Sequence, residues 1–144
     1  MSTLHAEIIT PAGKVYEGDV HMVCVRSAEG DLGILPRHMP IVVPLKIAMA
    51  RLKHEDEKIV DYAAIHGGFI QVNRKGVTII SQAAEMKEDI DIARAKKAEA
   101  EAKAKLDRLH KTSEGYEETR AKLQRAQLRI ATAEAGEDQK QAVR

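Results

Sequence analysis

The chain has 144 residues, enough for one modest core or a compact domain with a helical appendage, and too few for two full domains. Its 23 basic and 22 acidic residues nearly cancel, so no overall field draws it to nucleic acid or anionic lipid. Three tyrosines, one phenylalanine and no tryptophan leave little for a base-stacking platform, and no apolar run approaches the roughly 18 residues of a membrane span.

Up to about residue 85, short β-type runs alternate with turn signals. Leu4-His5-Ala6-Glu7-Ile8-Ile9 stops at Thr10-Pro11-Ala12-Gly13, and Val20–Arg26 stops at Ser27-Ala28-Glu29-Gly30-Asp31. Ile59–Ile65 and Gly68–Val72 flank an expected turn at Gly67, and Asn73-Arg74-Lys75-Gly76 separates Val72 from Val77–Ile80 as a hairpin. No helical period runs through this half. The expectation is an all-β sandwich over residues 1–86, with about eight to ten short strands in two packed sheets.

From Asp89 the composition shifts to Ala, Glu, Lys, Arg and Leu, all strong helix formers. Two helices are expected, about Asp89–Leu109 and Gly115–Ala133, forming an antiparallel hairpin over residues 87–135, with a disordered tail at 136–144. The fold class is therefore α+β in two parts, a sandwich followed by a helical hairpin. The seams read Ile92, Ala95, Glu99, Ala102, Leu106, Leu109 and Tyr116, Thr119, Leu123, Ala126, Ile130, Ala133. They are thin, since each missing buried methylene forgoes ~0.8 kcal/mol. The pair should stay helical yet part easily, a two-state arm, although a static hairpin fits the same seam.

Catalytic machinery is not visible. No G-x-S-x-G, Ser/His/Asp set or phosphate-binding loop is present, and the six histidines lack metal-ligand spacing. Cys24 is the single cysteine, which excludes an internal disulfide; within Met22-Val23-Cys24-Val25 it reads as a small core residue. The start Met1-Ser2-Thr3-Leu4 lacks a basic stretch and apolar region, so a soluble chain that stays where it is made is expected. Lys122, Arg125 and Arg129 place three like charges on one helical stripe, which an anionic partner would relieve or which Glu117 and Glu118 balance. A small enzyme on the sandwich and a passive coiled-coil adaptor are the other classes these features allow.

Gly30-Asp31-Leu32-Gly33-Ile34-Leu35-Pro36-Arg37-His38-Met39-Pro40 resembles the hallmark loop of F-type ATP synthase epsilon subunits of the bacterial type. Thr10–Gly18 and His66-Gly67-Gly68-Phe69 are similar to segments of the same family, and with the hairpin the resemblance spans about Thr3 to Ala133. It implies a non-catalytic rotor subunit of the central stalk, peripheral on the cytoplasmic side of the cell membrane. The sandwich would bind the gamma subunit and the c-ring, with Asp31 and His38 as contact residues.

The hairpin would inhibit ATP hydrolysis by extending into the catalytic alpha/beta hexamer, where Lys122, Arg125 and Arg129 would meet acidic residues. Ile90-Asp91-Ile92-Ala93-Arg94-Ala95 matches the I/L-D-x-x-R-A motif of members that bind ATP. The resemblance then implies a regulatory ATP held by Glu85, Ile90, Asp91, Arg94, Arg125 and Arg129, with no cofactor required and no metal. Glu101 stands where such members carry a basic residue, with Lys103 the nearest cation. Asp91 reads equally well as a helix cap.

Overall fold

The computed structural model describes residues 2–56 and 58–136, and the chain divides into two compact units, Met1–Met86 and Lys87–Arg144. Beyond Gly136, the expected tail lies outside the described residues.

The first unit contains β1 (Leu4–Thr10), β2 (Gly13–Val20), β3 (Met22–Ser27), β4 (Gly30–Ile34), β5 (Ile41–Lys53), β6 (Val60–Asn73), β7 (Gly76–Ile80) and β8 (Ala84–Met86). Hydrogen bonds join them in the order β2-β1-β7-β6-β5-β3-β4, with β8 also on β6. Neighbours run antiparallel except β1 and β7, which are parallel. The β-sandwich class is as expected, but hydrogen bonds link all eight strands into one sheet and not two separate ones, and two strands are not short: β5 has 13 residues and β6 has 14.

No turn interrupts β6 at Gly67. Gly67 and Gly68 lie inside the strand with φ of 81° and 105°, values that an L side chain rarely tolerates. Before the pair, Ala63–Ile65 bond to β8; after it, Phe69–Asn73 bond to β7. A β-carbon on Gly68 would stand 2.0 Å from the Ile80 carbonyl oxygen, so only glycine permits this approach. The sequence signal for a chain reversal was in fact a change of partner within one strand.

Alternation along the strands sends one side inward. Leu4, Ala6, Ile8, Val23, Val25, Ile70, Val72, Val77 and Ile79 are buried, with Ile34, Leu52 and Ile65 from other strands. Each such valine, leucine or isoleucine contributes about 1.5–3 kcal/mol on burial. Cys24 falls between buried Val23 and Val25 and is half-buried, on the opposite face of β3 from the core expected for it.

Polar clusters tie strand ends together. Tyr16 Oη (2.8 Å) and His54 Nε2 (2.7 Å) both donate to Asp61 Oδ2, linking β2 to the β5–β6 ribbon. Partial burial and the Asp61 charge push the Tyr16 phenol above its ordinary range. On β1 and β2, His5 Nδ1 lies 3.0 Å from Asp19, while Nε2 lies 2.8 Å from Glu17 and 3.3 Å from Glu7. Lys14 joins Glu17 (3.0 Å) and Glu7 (3.4 Å). Both ring nitrogens face carboxylates, an arrangement that the imidazolium form satisfies.

Two outcomes follow. Gly68→Ala should lower stability by about 2–4 kcal/mol through backbone overlap, read as a lower urea midpoint at unchanged m-value. His5 is raised above its ordinary 6.5, chiefly by Asp19 and then Glu17, so its contribution is complete below pH 6.5 and fades as pH climbs through the raised value. Glu17 is held below its ordinary 4.5 by Lys14 and then His5, so its contribution exists above pH 4.5 and is lost as pH falls through the depressed value. The cluster therefore stabilises most between pH 4.5 and 6.5. Melting temperatures across pH should show the alkaline decline in the native chain and a flatter profile in His5→Gln; identical profiles would remove the cluster from the effect.

Candidate functional site

The second unit opens with a 3-10 turn at Lys87–Asp89, followed by α1 (Ile92–Asp107) and α2 (Tyr116–Ala133). Asp91 is the N-cap of α1: its backbone is extended and its Oδ1 accepts the Arg94 backbone N–H at 3.1 Å. That satisfies one of the amides left open at a helix start and sets a negative charge against the dipole. Between the helices, the His110 backbone N–H donates to Ser113 Oγ and Gly115 leads into α2. Lys87 Nζ reaches the Ala135 carbonyl, and Lys96 lies 3.8 Å from Glu134, as an antiparallel pair requires.

Small residues occupy the seam. Ala95 and Ala102 of α1 and Thr119, Ala126, Thr132 and Ala133 of α2 are buried. The larger Leu106, Leu109, Tyr116, Leu123 and Ile130 are only half-buried. Ile92, expected in the seam, is 38% exposed, and Thr132, not expected there, is fully buried with its hydroxyl bonded to the Leu128 carbonyl. Thr132 directly precedes the expected seam residue Ala133, so the buried stripe is wider at that end of α2 than three-four spacing implies.

A groove of about 360 Å³ runs along one side of the hairpin, lined by Ala98, Glu101, Ala102 and Lys105 of α1 and Thr119, Lys122, Arg125 and Arg129 of α2. Four cations face one carboxylate. Lys122 approaches Glu118 at 3.9 Å and Glu117 is paired with Arg120 at 3.1 Å, so Glu117 and Glu118 do not neutralise Arg125, which pairs with no carboxylate among the described residues. Such exposed pairs are weak in any case.

The groove thus collects Lys122, Arg125 and Arg129 from the expected residues. Ile90 is buried, Asp91 and Arg94 are exposed at the start of α1, and none of the three lines it. Arg94 stands about one turn before Ala98 on the same helical row. Glu85 belongs to the first unit, opposite Ala64 on β8 and 3.9 Å from His66 Nε2. Lys105 was not singled out from sequence; its four-residue step from Glu101 was the available signal.

In the first unit, Asp31 on β4 faces Arg26 on β3 and accepts from its Nε at 3.0 Å. The guanidinium holds the Asp31 carboxyl below its ordinary range. His38 sits in the loop after β4, its Nδ1 donating to the Met39 carbonyl at 2.8 Å and its backbone N–H to the Leu35 carbonyl. Beyond that loop an apolar outer face appears. Cross-strand register aligns Pro44, Phe69, Ile80 and Ile9, and Phe69 (52%), Ile80 (46%) and nearby Val42 (66%) are exposed.

Residues 3–87 match the sequence model of the ATP synthase delta/epsilon chain β-sandwich domain, and residues 88–134 match that of the long α-helix domain. The chain belongs to the ATP synthase delta/epsilon chain family. The ATP synthase epsilon chain of Halalkalibacterium halodurans is 44% identical over 92% of this chain and 98% of its own length. That of Bacillus velezensis is 47% identical over the same shares. A chain in the Euglena gracilis mitochondrial ATP synthase shares the fold with a TM-score of 0.73 at 24% identity, covering 88% of this chain and 79% of that one. Another, from the central stalk and c-ring of the Tetrahymena thermophila enzyme, has a TM-score of 0.56 at 11% identity over 92% and 97%. Among the described residues of this epsilon-family chain, no helix is long and apolar enough to cross a membrane.

The Asp91 cap has a measurable worth. Asp91→Ala should cost about 1 kcal/mol of hairpin stability while Asp91→Asn restores most of it, as followed by far-ultraviolet dichroism during urea unfolding. Equal stability of all three chains would show the cap to be idle.

Proposed function

We propose that this chain is a non-catalytic central-stalk subunit of a proton- or sodium-translocating F-type ATP synthase, carried on the cytoplasmic side of the membrane through the complex. The β unit couples it to the gamma subunit and the c-ring, the apolar row of Phe69 and Ile80 suiting a permanent interface. Asp31 and His38 act as contact residues at its loop end. The helical unit restrains ATP hydrolysis by extending from its folded form toward the alpha/beta hexamer.

The observation that carries this reading is the basic groove beside a seam of small residues. When the helices are paired, Arg125 and Arg129 bind the phosphates, with Arg94 supplying further charge and Ile90 and Asp91 the adjoining helix start. ATP is then a regulatory ligand and not a required cofactor. When the helices part, Lys122, Arg125 and Arg129 are released to acidic residues of the hexamer.

The test is ATP hydrolysis by the reconstituted complex, with the full chain, a chain ending at Met86, and Arg125→Ala/Arg129→Ala. Truncation should raise hydrolysis several-fold, and the double variant should raise it in part and lose its dependence on ATP concentration. Unchanged hydrolysis after truncation would sink the inhibitory role and leave coupling standing; a double variant with unaltered ATP dependence would remove the groove from nucleotide sensing.

A further inference from the structure

The outer side of the β1–β2 hairpin gathers metal-ligating side chains that none of the roles assigned above uses. Because Leu4, Ala6 and Ile8 point into the core, His5 and Glu7 stand together on the opposite side of β1. Register with the edge strand β2 sets Asp19 directly across from His5 and Glu17 directly across from Glu7. His5, Glu7 and Glu17 each offer one ligand atom, and the three atoms lie within 4.8 Å of one another. The ligands come from two strands, so spacing along the sequence does not reveal them. The apolar row of Phe69 and Ile80 reaches β1 only at Ile9, and the loop bearing His38 follows β4, so neither includes this cluster.

The distances suit coordination. His5 Nε2 lies 3.3 Å from Glu7 Oε1 and 2.8 Å from Glu17 Oε2. Ligands held about 2.0–2.2 Å from a tetrahedral ion stand about 3.3–3.6 Å apart, so Glu7 already has that spacing from Nε2 and Glu17 needs to retreat by about half an ångström. His5 Nδ1 lies 3.0 Å from Asp19 Oδ1. With the ring proton on Nδ1, Asp19 accepts it and the Nε2 lone pair faces Glu7 and Glu17, which is how a carboxylate behind the imidazole orients a metal-binding histidine. Lys14 Nζ is the resident counter-ion, 3.0 Å from Glu17 and 3.4 Å from Glu7. Three carboxylates outnumber that one ammonium, so with His5 neutral the cluster carries two negative charges, which one divalent cation cancels.

We propose that His5, Glu7 and Glu17 bind a divalent transition-metal cation of the zinc class, with Asp19 holding the imidazole from behind. A nitrogen ligand among carboxylates suits zinc better than magnesium or calcium, which take oxygen shells. On binding, the metal replaces the Nε2 proton of protonated His5, which passes to water, and the exposed Lys14 side chain withdraws into solvent. The ion then ties the edge strand β2 to β1 at the end of the hairpin opposite its Thr10–Gly13 turn. The proposal goes beyond the stalk reading and does not depend on it.

The test is calorimetric titration of zinc chloride into the tag-free full chain, beside magnesium chloride, with His5→Gln, Asp19→Ala, Asp19→Asn, Lys14→Met and the control His110→Gln, an exposed histidine between the helices. Dichroism checks that each variant is folded. The native chain should take up one zinc ion per chain and leave magnesium unbound at the same concentration. His5→Gln should lose saturable uptake, and Asp19→Ala should bind roughly 10- to 100-fold more weakly, with Asp19→Asn recovering part of that loss. Lys14→Met should bind more tightly, because the competing ammonium is gone, and His110→Gln should match the native chain. Zinc should also raise the melting temperature of the native chain and leave that of His5→Gln unchanged. No saturable uptake by the native chain, undiminished uptake by His5→Gln, weaker uptake by Lys14→Met, or loss in the His110→Gln control would each overturn the site and leave the cluster an ion-pair network.

Discussion

The close approach of Gly68 to the Ile80 carbonyl is the contact on which the β unit is organised. Because no β-carbon intervenes, β6 passes from β8 to β7 without leaving the sheet, and β5 follows it residue by residue from Ile41↔Val72 to Lys53↔Val60. One long ribbon then carries both the buried positions Ile65 and Ile70 and the outward positions Val42 and Phe69. The apolar face and the loop bearing His38 owe their places to that ribbon, since β5 begins directly after the loop. A side chain at Gly68 would break the ladder where its two halves meet.

The helical unit rests on a different balance. Each helix satisfies its own backbone, with Asp91 closing one end of α1, but at 16 and 18 residues each also draws on its partner for stability. What the pairing adds is burial of Ala95 and Ala102 against Thr119, Ala126 and Ala133, side chains with little surface to remove from water. The larger Leu106 and Leu123 stay half-buried and contribute only part of what a leucine seam supplies. A hairpin built this way gains less from pairing than one with a leucine seam.

Much of this was legible in the residues. Period-two burial in β1, β3 and β7 and the shift to helix formers near Asp89 follow from local preference, and local preference decides them. The Gly67–Gly68 bend was misread as a reversal because a positive-φ glycine marks a turn and a partner change alike, and only the long-range ladder to β7 and β8 distinguishes them. Cys24 was misplaced because an apolar run does not reveal which of its residues face inward. The stripe of Lys122, Arg125 and Arg129 was visible from spacing, whereas its meeting with Lys105 and Glu101 depends on hairpin register, which no single helix encodes. The same holds for His5, whose carboxylate neighbours Glu17 and Asp19 come from the adjacent strand.

Net charge concealed the more telling distribution. A sum of +1 suggests indifference to anions, yet the cations gather in two cavities, the helical groove with a single carboxylate and one lined by Arg37, Arg74 and Lys75 with none. Local fields over a concave surface follow the nearest charges, and the distant acids that cancel them in the sum are screened within about 10 Å. In the helical groove those charges come from both helices, Lys105 from α1 and Lys122, Arg125 and Arg129 from α2. An anion lodged there bridges the pair and supplies the cohesion that alanine and threonine do not, while parting the helices dismantles the site. In the proposed role, anion binding and engagement of an acidic surface by the same arginines are therefore mutually exclusive, and the weakness of the seam is what lets a small ligand decide between them.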